Sequence, residues 1–123
     1  MAKKILIVDD NDNNRLLMSD ILQYRGYEIL QAEDGGKGTS MARELKPDLI
    51  LLDIQMPGID GFAAAKMLKS DPLTKDIKVI VATSFAMKGD REKIIALGVD
   101  DYIAKPIDTR QLPILVEKYI GPA

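Results

Sequence analysis

Five short aliphatic runs, alternating with longer amphipathic stretches, constrain the fold of this chain more than any other feature. The runs are Lys4 to Val8, Glu28 to Ala32, Leu49 to Leu52, Ile77 to Ala82 and Tyr102 to Ala104, and each reads as a strand. Between the first two, residues Asn13 to Arg25 place Leu17, Met18, Ile21 and Leu22 at helical spacing, with Gly26 as the stop. A second helix is expected over Gly36 to Leu45. It is weakened by Gly38 but keeps Met41, Ala42 and Leu45 on one face and ends before Pro47. A third starts after Asp60 as N-cap and runs through Ala63 to Ala65 to Lys69. A fourth covers Asp90 to Leu97 and stops at Gly98. The fifth carries Leu112, Leu115, Val116 and Tyr119. It also contains Pro113, whose missing N–H suits only a first turn, so this helix should begin late or bend. The strands are aliphatic throughout rather than alternating, which implies a doubly wound α/β fold: a five-stranded parallel sheet covered on both faces.

The chain's 123 residues correspond to one domain, 1–123, at about 150 residues per domain. Cysteine and histidine are both absent. A disulfide framework, a zinc finger, a Cys/His protease, a Ser-His-Asp triad and a two-His metal site are therefore excluded. Chemistry is left to carboxylates, hydroxyls, Lys and a hard cation. A net charge of −2 offers no bulk attraction to nucleic acid or anionic membrane, so no direct nucleic-acid or membrane partner is expected. Unbroken aliphatic runs such as Leu49 to Leu52 fall far short of the roughly 18 residues of a membrane span, and the Lys3-Lys4 start lacks the apolar core of a signal peptide. A cytoplasmic location follows as the expectation. No repeat or linker is visible, and both termini lie close to the outermost elements, so no effector domain is expected.

In an open parallel sheet, ligands bind at the carboxyl ends of the strands. Asp9 and Asp10 follow the first run directly, and Asp53 follows the third. Singly, each has an ordinary explanation: Asp9 or Asp10 as a helix cap, Asp53 as the start of a turn before Pro57-Gly58. Together they would repel one another unless a cation or a basic side chain compensates, and Mg²⁺ is the natural compensator. Thr83 follows the fourth run and Lys105 the fifth. Taken alone, the hydroxyl could bond local backbone and the amine could be solvated. Four strands ending in Asp-Asp, Asp, Thr and Lys instead match phosphoryl transfer to a carboxylate, with a nucleophile, a screening metal and donors for the phosphoryl oxygens.

Val8-Asp9-Asp10, Asp53 with Met56-Pro57-Gly58 and Gly61, Thr83 and Lys105-Pro106 closely resemble the receiver domains of two-component response regulators, from Ile5 to about Ile120. The resemblance implies the flavodoxin-like receiver fold with strand order 2-1-3-4-5, an order that chemotaxis receivers exemplify. It implies that Asp53 accepts the phosphoryl group, that Asp10 binds Mg²⁺ directly and Asp9 mainly through water, and that the Gln55 carbonyl adds a ligand. Thr83 and Lys105 would bind the phosphoryl oxygens, and the Lys105-Pro106 bond would be cis. Asp9-Asp10-Asn11 and Phe85-Ala86-Met87-Lys88-Gly89-Asp90 are similar to DivK-type single-domain receivers and to the receivers of hybrid histidine kinases. The implied role is a signalling domain rather than an enzyme, with at most self-phosphorylation and autodephosphorylation. Its partners would be a histidine kinase or phosphotransfer protein and a downstream protein. Phosphorylation would draw in Thr83, let Tyr102 turn inward and alter the surface of the fourth and fifth helices. Gln55 and Phe85 would flank the path of water to the phosphoryl group and set its lifetime.

The rival enzyme reading is a haloacid-dehalogenase-like phosphatase using Asp10, since Asp10-Asn11-Asp12 resembles that family's nucleophile and second acid. Against it, Asn14 stands where Thr or Val is usual. A calcium loop through Asp10, Asp12 and Asn14 fails where Arg15 replaces the turn Gly and Ile21 the bidentate Glu. The Gly35-Gly36-Lys37-Gly38-Thr39 run lacks the Ser/Thr and upstream Gly of a nucleotide loop and reads as a loop entering the second helix.

Overall fold

A computed structural model describes residues 2–54, 61–83 and 88–123, with the backbone alone at 88–91. The elements are β1 (Lys4–Val8), α1 (Asp12–Tyr24), β2 (Glu28–Ala32), α2 (Gly35–Leu45), β3 (Leu49–Asp53), α3 (Gly61–Ser70), β4 (Lys78–Thr83), α4 (Lys88–Ala96), β5 (Asp101–Ala104) and α5 (Gln111–Ile120). The five strands form one sheet in the order β2-β1-β3-β4-β5, and every pairing is parallel. Both the doubly wound architecture and the expected strand order are thus observed.

Alternate residues of the central strands supply two cores. Leu6, Val8, Ile50, Leu52, Val79 and Val81 face α2, α3 and α4, which contribute Ala42, Ala64, Ala65, Leu68 and Ile94. Ile5, Ile7, Leu49, Leu51 and Ile80 face α1 and α5, which contribute Met18, Leu22, Leu112 and Val116. With both sets withdrawn from water, a continuous aliphatic strand is the stable solution. No helix among the described residues is long and apolar enough to cross a membrane.

Helix boundaries follow local chemistry. At the end of α1, the Gly26 N–H donates to Gln23 O at 2.9 Å and the Tyr27 N–H to Leu22 O at 3.2 Å, the paired bonds that close a helix C-terminus. The Gly35–Thr39 run is helix and not an entering loop: Asp34 is the N-cap, and its side chain accepts the Lys37 N–H at 2.7 Å. Asp108 Oδ1 accepts the Arg110 N–H at 2.8 Å ahead of α5. That helix begins at Gln111, so Pro113 falls in the first turn, where no intrahelical bond is lost. The expected start of α4 at Asp90 moves back to Lys88. The Asp60 cap lies outside the described residues.

Gly38, which weakens α2 by propensity, is there for packing. A Cβ at this position would meet the Val8 methyl groups at 2.7 and 2.9 Å. The missing side chain lets α2 lie close against β1, and tertiary contact overrides helix preference.

Candidate functional site

Parallel registration brings the expected residues to one edge of the sheet. Val8 is paired with Leu52, so Asp9 leaves β1 beside the end of β3, where Asp53 is paired with Ala82 of β4. Thr83 follows Ala82 and is paired with Ala104, the residue before Lys105. The carboxylates of Asp9, Asp10 and Asp53 offer ligand atoms within 4.8 Å of one another. Lys105 Nζ lies 2.9 Å from Asp53 Oδ1. Asp9, Asp53 and Thr83 are buried, and Asp10 is exposed. The Thr83 carbonyl accepts the Lys105 N–H at 2.8 Å, which ties the start of the β5–α5 connection to β4. The Lys105-Pro106 peptide is cis.

Asp9 carries the clearest electrostatic signature. Its Oδ1 accepts the Asn11 N–H at 2.8 Å, whereas its Oδ2 is buried with no hydrogen-bond partner among the described residues. Burial lifts its pKa from the ordinary 3.8 to about 6; the charges of Asp53 and Asp10 push the same way, against the Asn11 N–H and Lys105. Lys105 is held on Asp53, so among the described residues three clustered carboxylates share one nearby ammonium. A buried, unpartnered carboxylate oxygen beside two further carboxylates suits a hard, oxygen-seeking divalent cation, Mg²⁺ among them.

This shift fixes the sign of a pH effect. Between pH 3.8 and about 6 the folded protein keeps a proton on Asp9 that the unfolded chain has released, so this contribution to stability is lost as pH rises through about 6. Asp100 has the opposite sign. Burial would raise its pKa, but hydrogen bonds from the Val79 N–H and Lys69, with the charges of Lys69 and Lys78, hold it below the ordinary value. Its contribution is lost only in stronger acid. Without a divalent cation, the thermal midpoint is therefore expected to fall between about pH 4 and 6, and saturating Mg²⁺ should remove most of that fall. A flat or rising midpoint over this interval would contradict the assignment.

Of the other expected site residues, Gln55, Met56-Pro57-Gly58 and Phe85 lie outside the described residues. Tyr102, on β5, is half-buried against the core beneath α2, α3 and α4. In line with the rejection of a calcium loop on sequence grounds, Asp12 and Asn14 belong to α1 and Asn11 is its N-cap. Sequence reasoning missed Arg15 as a neighbour of the site. Its guanidinium donates to the Asp9 carbonyl at 2.6 Å, a contact made by folding back across the first turn of α1, for which no sequence pattern exists. It also missed the ion cluster at the opposite edge of the sheet, where Lys69 Nζ lies 2.9 Å from Asp100.

An open parallel sheet with an acidic pocket and a Lys at its carboxyl edge has the parts that phosphoryl transfer to a carboxylate uses. Residues 5–117 match the response regulator receiver domain family, and the chain belongs to it. The polar-differentiation response regulators DivK of Brucella anthropi and Brucella ovis are each 42% identical over 123 residues, covering 100% of both chains. Chemotaxis protein CheY4 of Vibrio cholerae superposes with a TM-score of 0.91 at 26% identity, over 97% of this chain and 99% of that one. The receiver domain of the Pseudomonas aeruginosa sensor histidine kinase PA1611, solved with a magnesium ion in its active-site cleft, gives 0.90 at 30% identity over 98% and 99%. The chain is thus a receiver of two-component signalling, and the phosphatase reading of Asp10 is set aside.

Proposed function

We propose that Asp53 is the phosphoacceptor, that Asp9, Asp10, Asp53 and the Gln55 carbonyl hold Mg²⁺, and that Thr83 and Lys105 bind the phosphoryl oxygens. The observation that carries this is the pairing of Asp53 with Lys105 at 2.9 Å, inside a pocket where Asp9 Oδ2 has no partner among the described residues. In the transfer, an Asp53 carboxylate oxygen forms a bond to phosphorus as the bond from phosphorus to the donor breaks, and the donor leaves with that electron pair. Lys105 keeps a positive charge beside the attacking oxygen and can follow the charge onto the phosphoryl group. Thr83, at the end of the adjacent strand, offers a hydroxyl for a second oxygen. Bound Mg²⁺ supplies the screening that lets an anionic phosphoryl group approach three carboxylates.

The unit 1–123 acts as one receiver in the cytoplasm. It is phosphorylated by a histidine kinase or phosphotransfer protein or slowly by small phosphodonors, loses the group by its own hydrolysis, and is read by a downstream protein. Phosphorylation shifts a two-state balance in which Thr83 moves toward the phosphoryl group and Tyr102 turns inward, by as much as the two states differ in affinity for it. The test is intact mass after incubation with Mg²⁺ and a small phosphodonor. One phosphoryl increment is expected, absent when the cation is chelated; several increments, or one that survives chelation unchanged, would refute the reading.

A further inference from the structure

Asp9 is held on three of its four polar groups. Its N–H donates to Ala32 O at 3.1 Å, its Oδ1 accepts from Asn11, and its carbonyl accepts Arg15 Nη1 at 2.6 Å; Oδ2 has no partner among the described residues. The same guanidinium pairs through Nη2 with the Asp12 carboxylate and through Nε with Gln31 Oε1 on β2, at 3.3 Å. Only 12% of the Arg15 side chain is exposed. A planar fork of fixed charge can hold three such partners at once.

The carbonyl that Arg15 grips belongs to the peptide joining Asp9 to Asp10. That peptide is planar, so fixing its oxygen fixes the plane from which both carboxylates depart. We infer that Arg15 is a positioning residue of the cation site: it orients the Asp9-Asp10 peptide, and with it two of the three acidic ligands, through a brace anchored on Gln31 and Asp12. The inference rests on the Mg²⁺ site proposed above.

Position and charge predict opposite signs, which makes the inference decidable. Arg15 is a cation beside an acidic pocket, so by charge alone its removal strengthens Mg²⁺ binding. If it orients the ligands, its removal weakens binding, by about tenfold at the low end for the loss of an outer partner. Mg²⁺ affinity should be measured by calorimetry on wild type, Arg15→Met and Gln31→Leu, with thermal melts to establish folding. Arg15→Met is expected to bind about tenfold more weakly, while its phosphorylation rate at saturating Mg²⁺ stays within about twofold of wild type. Gln31→Leu, which changes no charge and sits exposed on β2, is expected to bind about two- to fivefold more weakly.

Affinity equal to or tighter than wild type in Arg15→Met overturns the inference. So does a loss confined to the rate at saturation. Should Arg15→Met fail to fold, Gln31→Leu carries the test alone, and unchanged affinity there overturns it. Failure of the wild type itself to bind Mg²⁺ would refute the proposed function on which the inference stands.

Discussion

Replacing Asp53 by Asn should abolish the phosphoryl increment entirely while leaving the fold intact. The amide keeps the shape of the carboxylate but has no anionic oxygen to attack phosphorus, and no other described carboxylate in the pocket is paired with a cation as Asp53 is with Lys105. Two electrostatic effects on stability oppose each other. The substitution removes the Asp53–Lys105 pair but relieves the repulsion that Asp53 exerts on Asp9. Since the Asp53 charge helps raise the Asp9 pKa, Asp53→Asn should also flatten the fall in stability between about pH 4 and 6. Intact mass and a pH series of thermal melts read both effects. Wild-type phosphorylation of Asp53→Asn would dismiss Asp53 as the acceptor, and an unaltered pH profile would dismiss its coupling to Asp9.

Gly61→Ala should be strongly destabilising, costing about 3 kcal/mol or more. A Cβ at Gly61 would lie 2.1 Å from Ile54 Cα and 2.6 Å from the Asp53 carbonyl oxygen, and both are backbone atoms that cannot rotate aside. Its N–H also donates to Ile54 O at 3.2 Å, so the start of α3 is seated on the end of β3. Relief would require moving the segment that carries Asp53, and phosphorylation should fall along with stability. Gly38→Ala is the instructive contrast. Its clash is with Val8 methyl groups, and Ala gains about 1 kcal/mol of helix preference over Gly, so a much smaller loss is expected. Urea unfolding of both variants would show the difference. A Gly61→Ala protein within about 1 kcal/mol of wild type would contradict the close approach.

Much of the site was legible because β/α units in a parallel sheet bring every strand's carboxyl end to one edge. Once the aliphatic runs are recognised as strands, the residues that follow them, Asp9, Asp10, Asp53, Thr83 and Lys105, share that edge whatever the strand order. Residue type then supplies the chemistry, since neither His nor Cys is available to compete. The order β2-β1-β3-β4-β5 was legible only through resemblance, because periodicity describes each run against itself and says nothing of its neighbours.

What the tertiary structure decided are contacts between groups with no sequence relation. Gly38 reads as a flaw in a helix until Val8 is found against it, and Arg15 reads as a misfit in a calcium loop until its guanidinium is found on the Asp9 carbonyl. The unpartnered Oδ2 of Asp9 is likewise invisible in sequence, because it results from burial and from where the other three polar groups of that residue find partners. The sequence by itself determined which residues meet at the edge of the sheet, because strand polarity is a local property carried through every crossover. How tightly those residues are held was decided by packing between α1, α2 and the sheet, where distances depend on elements remote in the chain.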